Sequence, residues 1–590
     1  MIYSYIINLF MPINIKLSNN LIFFAIFIVC LFFSIAYSIV QHSIGPSLTT
    51  GNFIEIPNGK SQITFNNSQF SFLIYVGTYL LKFGLSIKVI SQILLFFAIL
   101  SFFTGIYLIV NSIIKHINNY NKKLISFIFT FVTIFIIKLN FGSVDYPVMI
   151  FSEHTFGVYS LALPTLIFGL LANGNIFFAF FSAFLLLSIH GVIGAWILGI
   201  LILNSLIYIF YYKKYHFIKD AILGGTLGLI LFTLLLVFHI HSKGQFDVFG
   251  IVGYNLTDLN NWDLFWEPHR TNKEIDYFYL SKSILLMFIL IIFVKFNKKY
   301  LDKNTSFALS SIILSIFLGS ILYIFYKIFL EFLPPYIKAP IPTRVFNTHS
   351  FVAWPIIFSI SIIAIKELSN RIKIKFNRAL FIFFISIFII LITYNQKYLT
   401  NYIFAHYNKD IGFKSVLDNN PFRTRFANFL WDSPFKKNFF NEEKINEINL
   451  KRYPNINFWK KINKFKTNGY WLASSPHHLK LLRYGRKPIL INSNSFDFVY
   501  YNSNSLDFVK DIIENIYNLP FDKPPVPPLK TYYGRVPNNL VKIEFENKNY
   551  MNWLKISNKY NLNYIIVPSN WEINLPIELS NGNLTLYKIQ

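Results

Sequence analysis

From Asn20 to Val40 the chain reads NLIFFAIFIVCLFFSIAYSIV, 21 residues without a charge, and runs of this kind keep returning. An apolar run of about 20 residues matches the hydrocarbon thickness of a bilayer, and a helix is the one open-ended structure that satisfies its own backbone there. Further runs lie at about 89–113, 125–138, 156–172, 176–192, 194–211, 221–240, 282–296, 306–332, 350–366 and 379–395. The sequence therefore predicts eleven spans. Asn20–Val40 carries no cleavage site of small residues, so it reads as an anchor and not as a removed signal peptide. Composition agrees: 54% of residues are hydrophobic and only 14% charged, whereas soluble chains carry roughly 25% charge. Disordered, collagenous and nucleic-acid-binding classes are excluded. The net charge of +26 accompanies a Phe-, Ile-, Asn-, Lys- and Tyr-rich skew of the AT-rich codon type, so it does not by itself imply an anionic partner. A single cysteine, Cys30, rules out an intrachain disulfide and a thiolate cluster within the chain.

Basic loops set the expected orientation. Lys115, Lys122 and Lys123 follow span two; Lys213, Lys214 and Lys219 follow span six. Lys298, Lys299 and Lys303 follow span eight, and Arg371, Lys373, Lys375 and Arg378 follow span ten. All follow even-numbered spans, so they share one side, the cytoplasm. The amino terminus is then cytoplasmic, and the chain after span eleven is extracytoplasmic. The expected architecture is an α-helical polytopic membrane bundle over residues 1–395 with a soluble extracytoplasmic α/β or α+β domain over 396–590. In that tail NYIIVP (563–568), KPILIN (487–492) and LTLYKI (584–589) read as strands, and WDSPFKKNFFNEEKINEINL and SLDFVKDIIENIY as helices.

The long outer loops carry the polar groups that membrane chemistry requires. The first, QHSIGPSLTTGNFIEIPNGKSQ, has one acid, Glu55, and leads into FSFLIYVGTYLLKFGLS, which suits a helix lying at the interface. The second, NFGSVDYPVMIFSEHTFG, holds Asp145, Glu153 and His154; the last two abut an apolar span, where charge is costly. The loop after span seven holds Asp247, Asp258, Asp263, Glu267, His269 and Arg270, and LPPYIKAPIPTRVFNTHS after span nine holds Lys338, Arg344 and His349. A guanidinium such as that of Arg344 stays charged and forks onto phosphate oxygens. His190 in SIHGVIG reads as a satisfied core histidine, and His239 and His241, at i and i+2, splay apart on a helix and suit a metal poorly. His477, His478, Arg483 and Arg486 in the tail read as a solvated basic face.

This layout resembles the polytopic glycosyltransferases of the GT-C fold: an inside amino terminus, a first outer loop with an acid and an interfacial helix, further acids in the second loop, many spans and an outer carboxyl-terminal domain. The segment SEHTFGVYSLALPTLIFGLLANGNIFFAFFSAFLLLSIHGVIG (152–194) and the tail ending YNLNYIIVP and LTLYKI also resemble uncharacterised bacterial envelope proteins. The resemblance implies a bacterial inner-membrane enzyme that moves a sugar from a polyprenyl-phosphate donor to an envelope glycan, lipid or protein acceptor, inverting the anomeric centre. Membrane lipid, the lipid-linked sugar and the acceptor are its implied partners; nucleic acid is not. Glu55 is the first choice for general base, with Asp145 or Glu153 second. Arg344 with Arg270 would offset charge on the leaving phosphate, and His154, His269 and His349 would bind substrate. Family members present an Asp or an acidic pair in the first loop, where this chain has Glu55 alone, and an Asp-X-Asp type of pair is missing from the second. A divalent cation, Mg or Mn, is left open as cofactor. Two alternatives stand beside this reading: a polysaccharide polymerase or ligase of the O-antigen type that relies on outer arginines, and a non-catalytic envelope-assembly scaffold or transporter.

Overall fold

The computed structural model describes residues 19–41, 70–136 (apart from 86 and 118), 141, 155–243, 255–266, 274–338 (apart from 298 and 299), 341–372, 455–465, parts of 469–491, 503–526 and 536–589. The fold is mostly helical, with one small sheet near the carboxyl end. Its helices in the first part are α1 (Asn19–Gln41), α2 (Phe72–Lys82), α3 (Ile87–Ile113), α4 (Asn119–Ile136), α5 (Thr155–Ala172), α6 (Ile176–Ile189), α7 (Gly191–Phe210) and α8 (Ile218–Lys243). Then come α9 (Leu256–Asn261), a π-helical turn at Trp262–Trp266, α10 (Tyr277–Phe296), α11 (Lys303–Phe329), α12 (Pro335–Lys338), a 3-10 turn at Pro342–Asn347, and α13 (Ser350–Arg371).

Every expected span up to 350–366 falls on a helix; the last, 379–395, lies outside the described residues. Among the described residues six helices are long and apolar enough to cross a membrane: Gln92–Ile113, Gly191–Phe210, Ile218–His241, Tyr277–Phe296, Lys303–Phe329 and Pro342–Arg371. The 14 residues of α6 rise about 21 Å, short of the roughly 30 Å hydrocarbon core. The stretch expected at the interface forms α2, 11 residues long and too short to cross. The membrane character of the chain therefore stands on six helices by length and composition.

Glycine decides where these helices touch. A Cβ at Gly105 of α3 would stand 2.5 Å from the carbonyl of Thr165 on α5, and one at Gly169 would stand 2.5 Å from the Gly105 oxygen. On α8, a Cβ at Gly224 would stand 2.1 Å from the Phe177 oxygen of α6. Water drives nothing between apolar helices in lipid, so association rests on such close backbone approach and on hydrogen bonds. Polar bonds follow the same logic: Asn204 of α7 donates to Ser311 Oγ (2.8 Å) and to the Phe307 carbonyl (3.0 Å) of α11.

The helix ends sort into two sets. At one end Lys115 Nζ meets Asp302 Oδ2 at 3.0 Å, Lys366 Nζ donates to the His116 carbonyl (2.9 Å), and the His116 and Tyr300 rings touch. Since α11 starts beside Asp302 and α13 ends near Lys366, the end of α11, the start of α13 and the start of α10 lie at the opposite end. His190, expected as a satisfied core histidine between two spans, lies between two helices and is hydrogen-bonded, but is half-buried. It breaks the chain between α6 and α7 in extended conformation (φ −141, ψ 94), and its ring accepts from Ile193 N at 3.4 Å. His239 is buried and hydrogen-bonded to the Tyr75 hydroxyl of α2.

The carboxyl-terminal region contains α14 (Ile456–Lys464), β1 (Tyr470–Ala473), α15 (Ser503–Asn515), α16 (Asn538–Asn547), α17 (Tyr550–Tyr560), β2 (Leu562–Pro568), β3 (Ile577–Ser580) and β4 (Leu584–Lys588). The sheet order is β1-β2-β4-β3, parallel between β1 and β2 and antiparallel elsewhere. Side chains alternate faces along a strand. Leu472, Ile565 and Val567 pack with α15, α16 and α17, while Trp471, Tyr564 and Ile566 pack with α14. Both faces are covered, which is why NYIIVP lacks polar alternation. The expected strands 563–568 and 584–589 appear as β2 and β4; among the described residues of KPILIN, Ile489 makes a bridge to Trp471. The expected helix 505–517 appears as α15, and WDSPFKKNFFNEEKINEINL lies outside the described residues.

Candidate functional site

Of the residues expected to act, Glu55, Asp145, Glu153, His154, His269 and Arg270 lie outside the described residues, as do His477, His478, Arg483 and Arg486. Arg344 and His349 are described, and both belong to the segment between α11 and α13.

That segment is locally strained. Ile341 takes a left-handed conformation (φ 47, ψ 70) just before Pro342, which for a β-branched residue costs on the order of 1–3 kcal/mol. The 3-10 turn that follows buries Thr343, Val345, Phe346 and Asn347 and leaves Arg344 half-buried. Phe346 stacks on Tyr323 of α11 with ring centroids 5.3 Å apart, and Gly319 leaves the room beneath it. The turn is bolted to α7 through Thr348 Oγ1, 3.0 Å from Ser315 Oγ, which also accepts from Trp196 Nε1 at 3.0 Å. His349 is fully buried against Phe346, with Nε2 3.0 Å from Ser283 Oγ on α10. Its Nδ1 and the buried hydroxyl of Thr343 have no hydrogen-bond partner among the described residues. Strain and unsatisfied buried polar atoms in one short segment are a recognised mark of function.

Cations gather here. Lys327, near the end of α11, is buried with its ammonium 5.7 Å from the Tyr323 ring. Lys282 in the first turns of α10 lies 4.6, 4.4 and 5.5 Å from the rings of Phe278, Tyr279 and Phe141. Lys338 of α12 is buried and stands 3.7 Å from Asp263 Oδ2, the side chains 8% and 0% exposed. Desolvation makes such a pair tolerable only while both members are present.

Sequence reasoning noted Asp263 and Lys338 only as loop charges and missed their pairing, because 75 residues separate them. It also missed what holds Asp263. Its neighbours Trp262 and Trp266 are buried in the core of the sheet domain, with ring centroids 6.4 and 6.2 Å from Phe521, and Trp266 Nε1 donates to the Phe521 carbonyl at 2.9 Å. Lys510 of α15 donates to both oxygens of Asp258, at 3.0 and 2.9 Å, and that bond raises the lysine's pKa. The sheet domain thus sits at the same end of the bundle as Arg344 and His349, joined to them through Asp263–Lys338. A pair of tryptophans in a loop otherwise rich in Asp and Asn was the sequence signal available.

The flanks of the acidic loops reach this end too. Phe141, four residues before Asp145, has its carbonyl hydrogen-bonded by Ser350 and its ring 5.6 Å from that of Trp354. Tyr159, in the first turns of α5 just after Glu153 and His154, donates to the Leu94 carbonyl at 2.7 Å, near the start of α3. Among the described residues no group of three or more His, Cys, Asp or Glu side chains is arranged to hold a metal ion. No family model and no curated protein matches the chain.

Proposed function

We propose that this protein is an integral membrane glycosyltransferase that takes a sugar from a polyprenyl-phosphate donor and delivers it to an envelope acceptor. The observation that carries the reading is the segment 338–349: strained at Ile341, bearing Lys338 and Arg344, and set at the end of the bundle to which the acidic loops and the sheet domain attach. A lipid phosphate meets such a site from within the bilayer plane, and its charge is what buried cations at a helix end stabilise. Arg344, half-buried in the 3-10 turn, holds the phosphate as it leaves. A carboxylate from the acidic loops, Glu55 first and Asp145 or Glu153 second, removes the proton from the acceptor hydroxyl. The new glycosidic bond forms on the face opposite the phosphate, so the anomeric centre inverts. The sheet domain, docked through Trp262 and Trp266, presents the acceptor. The gathered groups are cations, beside the carboxylates Asp263 and Asp276, and the half-buried Arg344 among them also suits a polysaccharide ligase of the O-antigen type working through arginine.

One experiment separates the two. Turnover of a polyprenyl-phosphate-linked sugar is measured for Glu55→Ala, Asp145→Ala, Glu153→Ala and Arg344→Ala. The transferase reading expects a loss of about 10²–10⁴-fold for the carboxylate that serves as base. Full activity in all three acid variants, with loss only in Arg344→Ala, supports the ligase. Full activity in all four leaves neither.

A further inference from the structure

The turn that plugs the sheet domain has two apolar faces, and only one is used inside the protein. Leu259, Trp262 and Trp266 face inward and are fully buried. Leu256 and Leu264 face outward, 59% and 61% exposed. None of the described residues buries Leu256 or Leu264, and exposed apolar side chains on one face mark a contact surface. The level at which it lies says what it contacts. Leu264 follows Asp263, whose carboxylate is 3.7 Å from Lys338 Nζ. Lys338 sits in the short connection between two candidate spans, Lys303–Phe329 and Pro342–Arg371. Leu264 is therefore at the height where spans leave the hydrocarbon. The residues at that height have interfacial character: Tyr277 and Phe278 at the start of α10 are 72% and 67% exposed, and Phe332 just beyond α11 is 81% exposed. Aromatic residues collect at the headgroup level, and Lys282, half-buried beside the rings of Phe278 and Tyr279, adds a cation at that level.

We propose that α9 and the π-helical turn after it form a wedge that docks the sheet domain onto the lipid surface, with Leu256 and Leu264 inserted at the boundary between headgroups and acyl chains. The wedge is a two-sided adaptor. Its tryptophans hold the domain and its leucines hold the bilayer, roughly 5–10 Å below the headgroup surface, as amphipathic interfacial helices do. Asp263, between the two faces, ties the wedge to Lys338 and fixes its height against the bundle. The consequence is that the domain rests on the membrane beside the segment 338–349 and does not float on a tether. The inference depends on the spanning helices and not on the sugar-transfer reading.

The test is a depth measurement on the full chain in nanodiscs of phosphatidylethanolamine and phosphatidylglycerol. In a Cys30→Ala background, nitroxide labels are placed singly at Leu256→Cys, Leu264→Cys, Phe332→Cys and Ile577→Cys. Ile577 is an exposed residue on edge strand β3. Accessibility to oxygen, which partitions into lipid, is compared with accessibility to a water-soluble nickel chelate. The expected result is an oxygen-to-nickel ratio at 256 and 264 several-fold above that at 577 and close to that at 332. Leu256 and Leu264 serve as independent sites, so loss of one variant to misfolding leaves the other. Nickel access at 264 equal to that at 577 would overturn the proposal. So would protection from both reagents that persists unchanged in detergent, because it would mean that protein covers the patch.

Discussion

Removing Asp263 tests how the sheet domain is fixed to the bundle. At 3.7 Å the attraction between the Lys338 ammonium and the Asp263 carboxylate is about 4.5 kcal/mol at an effective dielectric near 20. Desolvation of both groups offsets much of that, so the pair contributes little relative to two apolar residues. The single variant is different. Asp263→Ala leaves a buried ammonium without its carboxylate, a change that costs about 3–5 kcal/mol. Hydrogen exchange reads this locally as the opening free energy of the wedge. Peptides covering 256–266 and 335–348 should exchange about 10²–10³-fold faster in Asp263→Ala, since 1.4 kcal/mol is tenfold. Peptides from β2 and β4 should be unchanged. Adding Lys338→Met, which keeps the stem and deletes the charge, should restore most of the protection. Unchanged exchange in Asp263→Ala would refute the reasoning. Equally fast exchange in the double variant would mean that the cost lies in packing and not in the stranded charge.

Phe521→Ala removes the ring on which Trp262 and Trp266 stack and should destabilise docking by about 3–5 kcal/mol, seen as faster proteolysis between the bundle and the sheet domain. Gly169→Ala forces a methyl to within 2.5 Å of the Gly105 oxygen; overpacking of this kind costs about 1–3 kcal/mol, read as a lower midpoint of thermal unfolding in detergent. Asp302 caps α11 by accepting from Thr305 N (2.7 Å) and also accepts from Lys115 (3.0 Å). Burial alone would raise its pKa, but the bonds from Thr305 and Lys115 outweigh that and hold it below the ordinary 3.8. A depressed carboxylate pKa means that the unfolded chain binds the proton more readily. The stabilisation is therefore complete above 3.8 and lost as pH falls through the folded value. Asp302→Asn should flatten that acid limb of the thermal-stability profile, and an unchanged limb would contradict the assignment.

The six long apolar helices were legible because burial in lipid demands uninterrupted apolar length, a property of local sequence. The meeting of Lys115 with Asp302 and of Lys366 with His116 at one end fits the expectation that the basic segments around 115, 298–303 and 371 share a side. The structure accordingly brings Lys115, Asp302 and Lys366 to one end and Lys338, Arg344 and His349 to the other. Pairings between distant segments left no such trace. Asp263 and Lys338, or Trp266 and Phe521, have no periodicity to reveal them, because only packing brings them together. The short strand β1 was missed because YWLA at 470–473 is too brief for a period-2 pattern to register. The position of His190 between two apolar runs was legible; its capping of α7 was not, because that depends on the tight hairpin, in which a Cβ at Gly194 would stand 2.3 Å from Leu187 Cα. The burial of His349 against Ser283 left no trace either, because α10 is separated from it in sequence by α11, α12 and the 3-10 turn.

The sugar-transfer proposal requires that Arg344 hold a lipid phosphate. The direct measurement is the affinity of polyprenyl phosphate for the protein in nanodiscs, by titration, for wild type, Arg344→Ala, and Lys115→Ala at the opposite end. Binding to Arg344→Ala should be at least tenfold weaker, about 1.4 kcal/mol, and binding to Lys115→Ala unchanged. Equal affinity in wild type and Arg344→Ala, or an equal loss in both variants, would contradict it.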